Sequence, residues 1–269
     1  LMIRFSANLG FLWADLPLID AIYAAKRAGF AAVECHWPYA TPATDVARAL
    51  TDTGLPMLGL NTPRGNLDLG ENGLAAVPGR EADAHAAIQQ AITYGAAIDA
   101  RAVHVMAGLA DGPKAHQAFT RNLHMACDMA AAKGMTILIE PLNQHDAPGY
   151  FLRTTEQARA LIAEVAAPNL KLMFDCYHVG RSEGDIVTRL QDLQSIIGHI
   201  QFASVPDRTR PDQGEVDYHY VFSAIAAMQW SRPIGAEYKT AGNTDETLGW
   251  MRLYEPAAPG KKPRQIFRI

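Results

Sequence analysis

The sequence predicts an α/β protein of the (β/α)₈ TIM-barrel class, and three observations support this prediction. Short, nearly continuously apolar runs, typical of parallel strands covered on both faces, recur eight times. A helical pattern follows each run, and eight such repeats favour a closed barrel. No G-x-G-x-x-G motif follows the first run, so nothing indicates a dinucleotide-binding sheet. The predicted strands are residues 3–7, 31–35, 56–60, 102–106, 136–140, 170–175, 199–203 and 234–237.

Helix-start signals lie between these runs. Thr41 and Pro42 predict an N-cap followed by proline at the first helical position. Thr154 begins a T-x-x-Q capping box ahead of an apolar helix face. Ser182 is expected to open the helix after the sixth strand, and the apolar positions of that helix extend to Ile197.

Helix ends and connections complete the predicted organisation. Gly29 and Gly134 are placed just past helix ends, where a left-handed residue is favoured. A Gly-rich connection spans residues 61–78, between the third strand and its helix. We assign residues 1–255 to a single barrel domain and residues 256–269 to a basic, proline-containing tail. We interpret that tail as a mobile or subunit-crossing arm, so a homo-oligomer is possible.

Composition and charge argue against several classes of function. The formal net charge of -4 gives no electrostatic reason to expect a nucleic-acid or membrane partner. No apolar run approaches the roughly 18 residues needed to span a bilayer. The cysteines are odd in number and far apart, so we expect no disulfide framework, no C-x-x-C metal site and a reducing, cytoplasmic location. They are Cys35, Cys127 and Cys176.

Oxygen-bearing side chains follow the apolar runs of the last four strands. Glu140, Asp175 and Glu237 end the fifth, sixth and eighth strands, and Gln201 lies in the seventh. Carboxyl ends of barrel strands share one mouth, so we expect these side chains to converge. Each acid alone could simply cap a helix, but three carboxylates at one mouth would repel each other unless a cation compensates them. An all-oxygen set suits Mg²⁺ or Mn²⁺ better than zinc.

Short motifs elsewhere place the chain near a known family. Over nearly its whole length the chain resembles the xylose-isomerase-like barrels, and within them the hydroxypyruvate isomerases, close to the 2-oxo-tetronate isomerases. The glutamine at position 201 resembles the residue of that branch, since the broader family commonly has histidine at this position of the seventh strand. Asn66 and Thr240 depart from the expected pattern, which leaves the identity of the substrate open. The matching stretches are 5–9 (FSANL), 29–34 (GFAAVE), 61–65 (NTPRG), 103–108 (VHVMAG), 140–143 (EPLN), 175–178 (DCYH), 199–201 (HIQ), 206–208 (PDR) and 235–238 (GAEY).

The resemblance implies a metal-assisted isomerase that interconverts hydroxypyruvate and tartronate semialdehyde (2-hydroxy-3-oxopropanoate). A divalent ion that chelates two neighbouring oxygens stabilises the enediolate between them. Glu140 and Glu237 are then the acid–base pair, and each also contacts the metal. Asp175 and Gln201 mainly fix the ion.

Four further residues are candidates for contacts with a hydroxy-keto acid substrate. His178 and Arg208 could bind a substrate oxygen or the carboxylate, although a loop-ordering histidine and a solvated arginine are the plain alternatives. His104 and Asn61 have core or loop roles as equal rivals. Arg64 and Lys239 are further candidates for binding a carboxylate, but exposed basic residues are common, so neither is assigned. Nothing in the sequence argues for His36 or His145, and Trp13 and Trp37 could wall the pocket or simply pack.

Several other functions stay open at this point. The same chemistry on a four-carbon 2-oxo-tetronate needs only a deeper pocket. A ketose 3-epimerase would use the same two glutamates on opposite faces of one carbon, and Gln201 counts modestly against it. A nuclease on this barrel would need more metals, more histidine ligands and a basic groove. A non-catalytic sugar-acid-binding barrel would not need the second glutamate.

Overall fold

The computed structural model of the chain describes residues 3–254. Its strands are β1 (Phe5–Asn8), β2 (Ala32–Glu34), β3 (Leu60–Asn61), β4 (Ala102–His104), β5 (Thr136–Ile139), β6 (Leu170–Asp175), β7 (Ile197–Phe202) and β8 (Ile234–Ala236). They form one sheet in the order β2-β1-β8-β7-β6-β5-β4-β3, and every paired neighbour is parallel. This order curls the sheet into a nearly closed barrel, so the predicted fold class is confirmed.

The barrel closes between β2 and β3 through residues just ahead of β3. Leu58 N–H donates to the carbonyl of Val33 at 2.8 Å, and Cys35 N–H donates to the carbonyl of Gly59 at 3.1 Å. Residues 56–59 therefore run beside β2, as the sequence predicts for the third strand. Only Leu60–Asn61 pairs regularly enough with β4 to count as strand.

Helices cover the outside of the barrel. They are α1 (Leu18–Arg27), α2 (Ala43–Thr53), α3 (Glu81–Ala97), α4 (Gly112–Ala131), α5 (Thr155–Val165), α6 (Cys176–Ser182), α7 (Ile186–Asp192) and α8 (Tyr218–Ala227). Two 3₁₀ segments, Leu67–Leu69 and Thr244–Leu253, lie after β3 and β8. The main core lies between strands and helices, where fully buried side chains such as Ile137, Ile139 and Phe119 each contribute about 1.5–3 kcal/mol.

Most predicted helix ends are confirmed. Thr154 caps α5, its hydroxyl accepting a hydrogen bond from the N–H of Gln157 at 3.1 Å. Gly29 and Gly134 have φ values of 90° and 67°, in the left-handed region that glycine tolerates. Pro42 takes the N-cap position of α2 and not the first helical position, so the helix begins one residue later than predicted.

The prediction for Ser182 is wrong. Ser182 ends α6 instead of opening a helix, because the segment after β6 contains two short helices and not one long one. Asp185, with φ of 51°, turns the chain into α7. Ile197, expected on that helix, is the first residue of β7.

Two remaining predictions concern the C-terminal tail and the absence of a membrane-spanning segment. The basic tail lies outside the described residues. Among the residues that the structure describes, no helix has the length and apolar character to cross a membrane.

Candidate active site

The four predicted oxygen donors lie together at the carboxyl end of the barrel. Asp175 is the last residue of β6, and Glu140 and Glu237 directly follow β5 and β8. Gln201 lies in β7 and pairs in register with Asp175 on one side and Gly235 on the other. The four side chains are buried although three carry carboxyl groups. Convergence of these strand ends is therefore the arrangement that the sequence predicted.

Three of the four donors each have one buried oxygen without a hydrogen-bond partner. These atoms are Glu140 Oε1, Asp175 Oδ2 and Gln201 Oε1. The other oxygen of Asp175 accepts the Tyr177 N–H at 2.9 Å and so caps α6. One oxygen of Asp175 thus caps the helix, and the other remains available as a ligand for a cation. Buried unpaired oxygens on one wall fit a bound cation, since each would otherwise carry an uncompensated desolvation cost.

His178 completes a compact group with Glu140 and Asp175. One possible ligand atom from each of these residues lies within 4.8 Å of the others, a spacing at which a metal ion could be held. However, His178 Nδ1 accepts a hydrogen bond from the Asn143 N–H at 3.0 Å. The neutral ring then carries its proton on Nε2, the nitrogen that faces Asp175 at 3.7 Å. His178 therefore presents an N–H donor to the site, as the predicted substrate contact requires.

Glu237 is surrounded by donors. Its Oε2 lies 2.5 Å from Arg208 Nη2, and its Oε1 lies 2.8 Å from Asn8 Nδ2 and 3.0 Å from His36 Nε2. Burial alone would raise the pKa of Glu237, but the charge of Arg208 and the hydrogen bond from His36 lower it to about 2. Glu237 is consequently ionised at neutral pH.

Glu140 has the opposite environment. Burial, followed by the charges of Glu237 and Asp175, raises its pKa well above the usual value. Burial and Glu237 likewise raise the pKa of Asp175 to about 7. A cation among these oxygens would reverse both shifts, because a positive charge stabilises the ionised carboxylates.

His104 and Asn61 stand on the wall opposite Arg208. His104 Nδ1 lies 3.2 Å from Asn61 Oδ1 and 3.6 Å from Glu140 Oε2, so this nitrogen carries the ring proton. Burial lowers the pKa of His104 to about 3, which keeps the ring neutral. Both residues line the same cavity as Glu140 and Glu237.

Arg208 is fixed by acids and aromatic rings. Besides Glu237, it lies 3.7 Å from Asp175 and 3.9 Å from Asp146. Its guanidinium is also 4.8 Å from the ring centre of Phe11 and 4.9 Å from that of Tyr177. Burial opposes the charged guanidinium, but the surrounding carboxylates raise the pKa of Arg208 above its usual range. The arginine is therefore a counter-charge within the acidic cluster and not a solvated loop residue.

A second polar layer lies beneath the mouth, inside the barrel. Glu34 Oε2 lies 2.6 Å from His199 Nε2 and accepts a hydrogen bond from Gln201 Nε2 at 3.2 Å. Gln201 Nε2 also faces Glu237 Oε1 at 3.4 Å. Since both neighbours are acceptors, the amide nitrogen must face them, and the amide oxygen is left without a hydrogen-bond partner. Gly235 makes room for this layer, because a Cβ there would lie 2.0 Å from Glu34 Oε1.

Several site residues were missed by the sequence reasoning. His36, for which no argument was found, and Asn8 both contact Glu237, more than 200 positions away in the chain. Asp146 contacts Tyr177 and Arg208 from a loop. Glu34 and His199 lie within the stretches that match the family, but the sequence predicts no role for either. Asn8 and Glu34 end their strands, so the rule that found Glu140 could have found them if polar residues of the first two strands had been included.

The site opens into a cavity of about 340 Å³ at the barrel mouth. Its walls include both glutamates, His178, Arg208, Trp37 and Arg64. The volume admits a small organic acid, and the mixture of N–H donors and carboxylates suits a molecule rich in oxygen.

Comparison with known proteins assigns this arrangement to a family. Residues 22–254 match the family described as xylose isomerase-like TIM barrel. The chain is 41% identical over 257 residues to the 2-oxo-tetronate isomerase of Cupriavidus necator, covering 94% of this chain and 99% of that protein. It is 33% identical to the hydroxypyruvate isomerase of Escherichia coli, covering 94% of this chain and 100% of that enzyme.

A solved structure has the same fold in detail. The crystal structure described as AP endonuclease, family 2, from Brucella melitensis superposes with a TM-score of 0.90 at 35% identity. The match covers 95% of this chain and 100% of that one.

Proposed function

The chain belongs to the xylose isomerase-like TIM barrel family, and from its site we propose that this enzyme interconverts hydroxypyruvate and 2-hydroxy-3-oxopropanoate. Relatives named isomerases support an enzyme of this kind. The observation that carries the specific proposal is the pair of buried glutamates, Glu140 and Glu237, in one cavity. Binding alone needs no such pair, whereas moving a proton between adjacent carbons needs a group to remove it and a group to return it.

The two glutamates act on the two carbons of the reacting unit. One carboxylate removes a proton from C3 of hydroxypyruvate, and the other carboxyl group delivers a proton to C2. The hydroxyl proton on C3 moves to the oxygen on C2, so that C3 becomes the aldehyde. Because the reaction is reversible, each glutamate serves as acid in one direction and as base in the other. His178 Nε2–H is the candidate donor to a substrate oxygen. His104 Nδ1–H is directed at Asn61 Oδ1 and lies beside Glu140 Oε2, so its role is to orient that glutamate next to the reacting carbon.

Arg208 supports the pair indirectly. Its contact with Glu237 at 2.5 Å keeps that carboxylate ionised and fixes its direction. Its contact with Asp175 at 3.7 Å links the same guanidinium to the next strand. Replacing Arg208 with Ala is expected to affect turnover through Glu237.

We also propose that Glu140, Asp175, Gln201 and Glu237 hold one divalent ion, Mg²⁺ or Mn²⁺. The three unpartnered oxygens on Glu140, Asp175 and Gln201 support this assignment. Such an ion, when bound, would withdraw electrons from the carbonyl and hydroxyl oxygens of the substrate and make the C–H bond more acidic.

A 2-oxo-tetronate is the second candidate substrate. The relative from Cupriavidus necator is named 2-oxo-tetronate isomerase, and the cavity of about 340 Å³ has room for a fourth carbon. The chemistry at the first three carbons is unchanged.

Proton exchange tests the proposal. The protein is incubated with hydroxypyruvate and Mg²⁺ in deuterated water, and NMR follows loss of the C3 proton and appearance of the aldehyde. We expect both signals with the native chain and neither with the Glu140→Gln, Glu237→Gln double variant. Parallel samples contain 2-oxo-tetronate or a chelator. A native protein that is inert toward both acids would contradict the isomerase proposal.

A further inference from the structure

Arg64 is the second arginine on the wall of the active-site cavity, and its surroundings differ from those of Arg208. It lies in the connection between β3 and α3, half-buried, and lines the same cavity as Glu140 and His178. We propose that Arg64 binds the carboxylate of the substrate and so sets the preference for keto acids over neutral ketoses. This inference rests on the proposed function, since it requires an acidic substrate.

The guanidinium of Arg64 is held in a fixed direction. Its carbon lies 4.7 Å from the ring centre of Trp37, and its Nε donates to Asn72 Oδ1 at 3.0 Å. Trp37 is itself anchored, because its indole N–H donates to the carbonyl of Thr62 at 3.1 Å. An arginine stacked on an aromatic ring loses little further freedom when its outer nitrogens bind a ligand.

Those outer nitrogens are available. Among residues 3–254, no acidic side chain lies within 4.0 Å of an Arg64 nitrogen, and neither Nη atom has a hydrogen-bond partner. Glu71, an acid of the same connection, is paired with Arg80 instead. Two adjacent N–H groups in a planar fork match the geometry of a carboxylate, which is the ligand arginine binds in bidentate fashion.

Arg208 is poorly suited to that task. Its guanidinium already contacts Glu237, Asp175 and Asp146 at 2.5, 3.7 and 3.9 Å. An anionic substrate that enters this cavity also meets the carboxylates of the mouth, so a positive group outside their cluster favours its binding. Arg64 supplies that charge on the other side of the cavity.

Substitutions of Arg64 separate charge from shape. Arg64→Leu is expected to raise the KM for hydroxypyruvate about 10- to 100-fold, the range for loss of a charged hydrogen-bonded contact, with a smaller change in kcat. Arg64→Lys keeps the charge without the fork and should recover part of the loss. Arg232→Leu is the matched control, because Arg232 also stacks on a tryptophan, at 4.2 Å from Trp230, but lies before β8 at the opposite end of the barrel.

A binding experiment distinguishes failure of this inference from failure of the proposed function. Pyruvate and its methyl ester differ in having an ionised carboxylate or a neutral ester, and neither has the hydroxymethyl group that reacts. NMR titration therefore measures the dissociation constant of each without turnover. We expect the native chain and Arg232→Leu to prefer pyruvate, and Arg64→Leu to lose that preference. If Arg64→Leu loses the preference for pyruvate but the native chain isomerises no keto acid, Arg64 still binds the carboxylate and only the proposed reaction is wrong. An unchanged KM and unchanged pyruvate affinity in Arg64→Leu, or a native chain without any preference, would overturn the assignment.

Discussion

Glu140 and Glu237 occupy equivalent places, each directly after a barrel strand, yet their surroundings are opposite. Glu237 receives hydrogen bonds from Arg208, Asn8 and His36. Glu140 has an oxygen with no partner and faces other acids. The pKa of Glu237 is lowered to about 2, while that of Glu140 is raised. The pKa values of two identical side chains at the mouth of one barrel are therefore shifted in opposite directions by the groups that the other strands bring to them.

The largest expected effect is on turnover. Glu140→Gln and Glu237→Gln keep side-chain size and remove proton transfer, so each should lower kcat about 10²- to 10⁴-fold. Steady-state kinetics with hydroxypyruvate and Mg²⁺ measures both. If either variant retains normal kcat, the two glutamates do not form an acid–base pair, and the contrast between them has no catalytic meaning.

Thermal stability should separate the two variants where turnover does not. In chelator, Glu237→Gln leaves Arg208 without its ion pair at 2.5 Å, and we expect a loss of about 2 kcal/mol, or roughly 4–8 °C in Tm. Glu140→Gln removes a carboxyl group whose ionisation is unfavourable, so its Tm should be unchanged or slightly higher. Calorimetry of both variants checks this, and an equal loss in the two would contradict the described asymmetry.

The pH dependence of cation binding sharpens the comparison further. Burial and Glu237 raise the pKa of Asp175 from 3.8 to about 7, and Glu140 shifts in the same direction. Binding must then displace protons, so Mn²⁺ affinity should rise about tenfold per pH unit below pH 7 for each proton released. Calorimetric titration at pH 6, 7 and 8, in buffers of different ionisation enthalpy, measures both affinity and protons. Affinity independent of pH would indicate that these carboxyls are not the ligands.

The same shifts have opposite signs for stability without a cation. A raised folded-state pKa, as in Asp175, gives stability that is complete below pH 3.8 and declines as pH rises through about 7. A lowered one, as in Glu237, gives stability that is present above pH 4.5 and is lost as pH falls toward 2. Added Mn²⁺ should therefore raise Tm more at pH 7.5 than at pH 5.

Local chain patterns predicted the fold and the acids of the candidate site, but not the residues that surround Glu237. Parallel strands put their carboxyl ends at one edge, so the acids after β5, β6 and β8 could be placed together from the sequence alone. His36 could not, because its role depends on a side chain reaching across the mouth to Glu237. The helix start predicted at Ser182 is wrong. Serine commonly caps helices, but α6 continues to Ser182 and α7 begins only after Asp185, which has no side-chain cap that a sequence pattern could reveal.

The contrast between Arg64 and Arg208 shows the same limit. Both are arginines in loops that follow strands, and the sequence favoured Arg208 for the substrate carboxylate. The structure surrounds Arg208 with acids, whereas Arg64 lines the cavity and has no acidic partner among residues 3–254. Pairing of charges across the mouth cannot be read from neighbours in the chain, because it depends on tertiary distances.

Gly235 has a consequence for protein engineering. The eighth strand gives up a side chain at this position, and Glu34 and Gln201 occupy the volume that even a methyl group would need. Grafting the four mouth residues onto another barrel without this glycine would displace Glu34, and the Gln201 amide nitrogen would lose the acceptor that fixes its direction. A transplanted site would have to include the glycine and the buried acid beneath it, although neither residue lines the cavity at the barrel mouth.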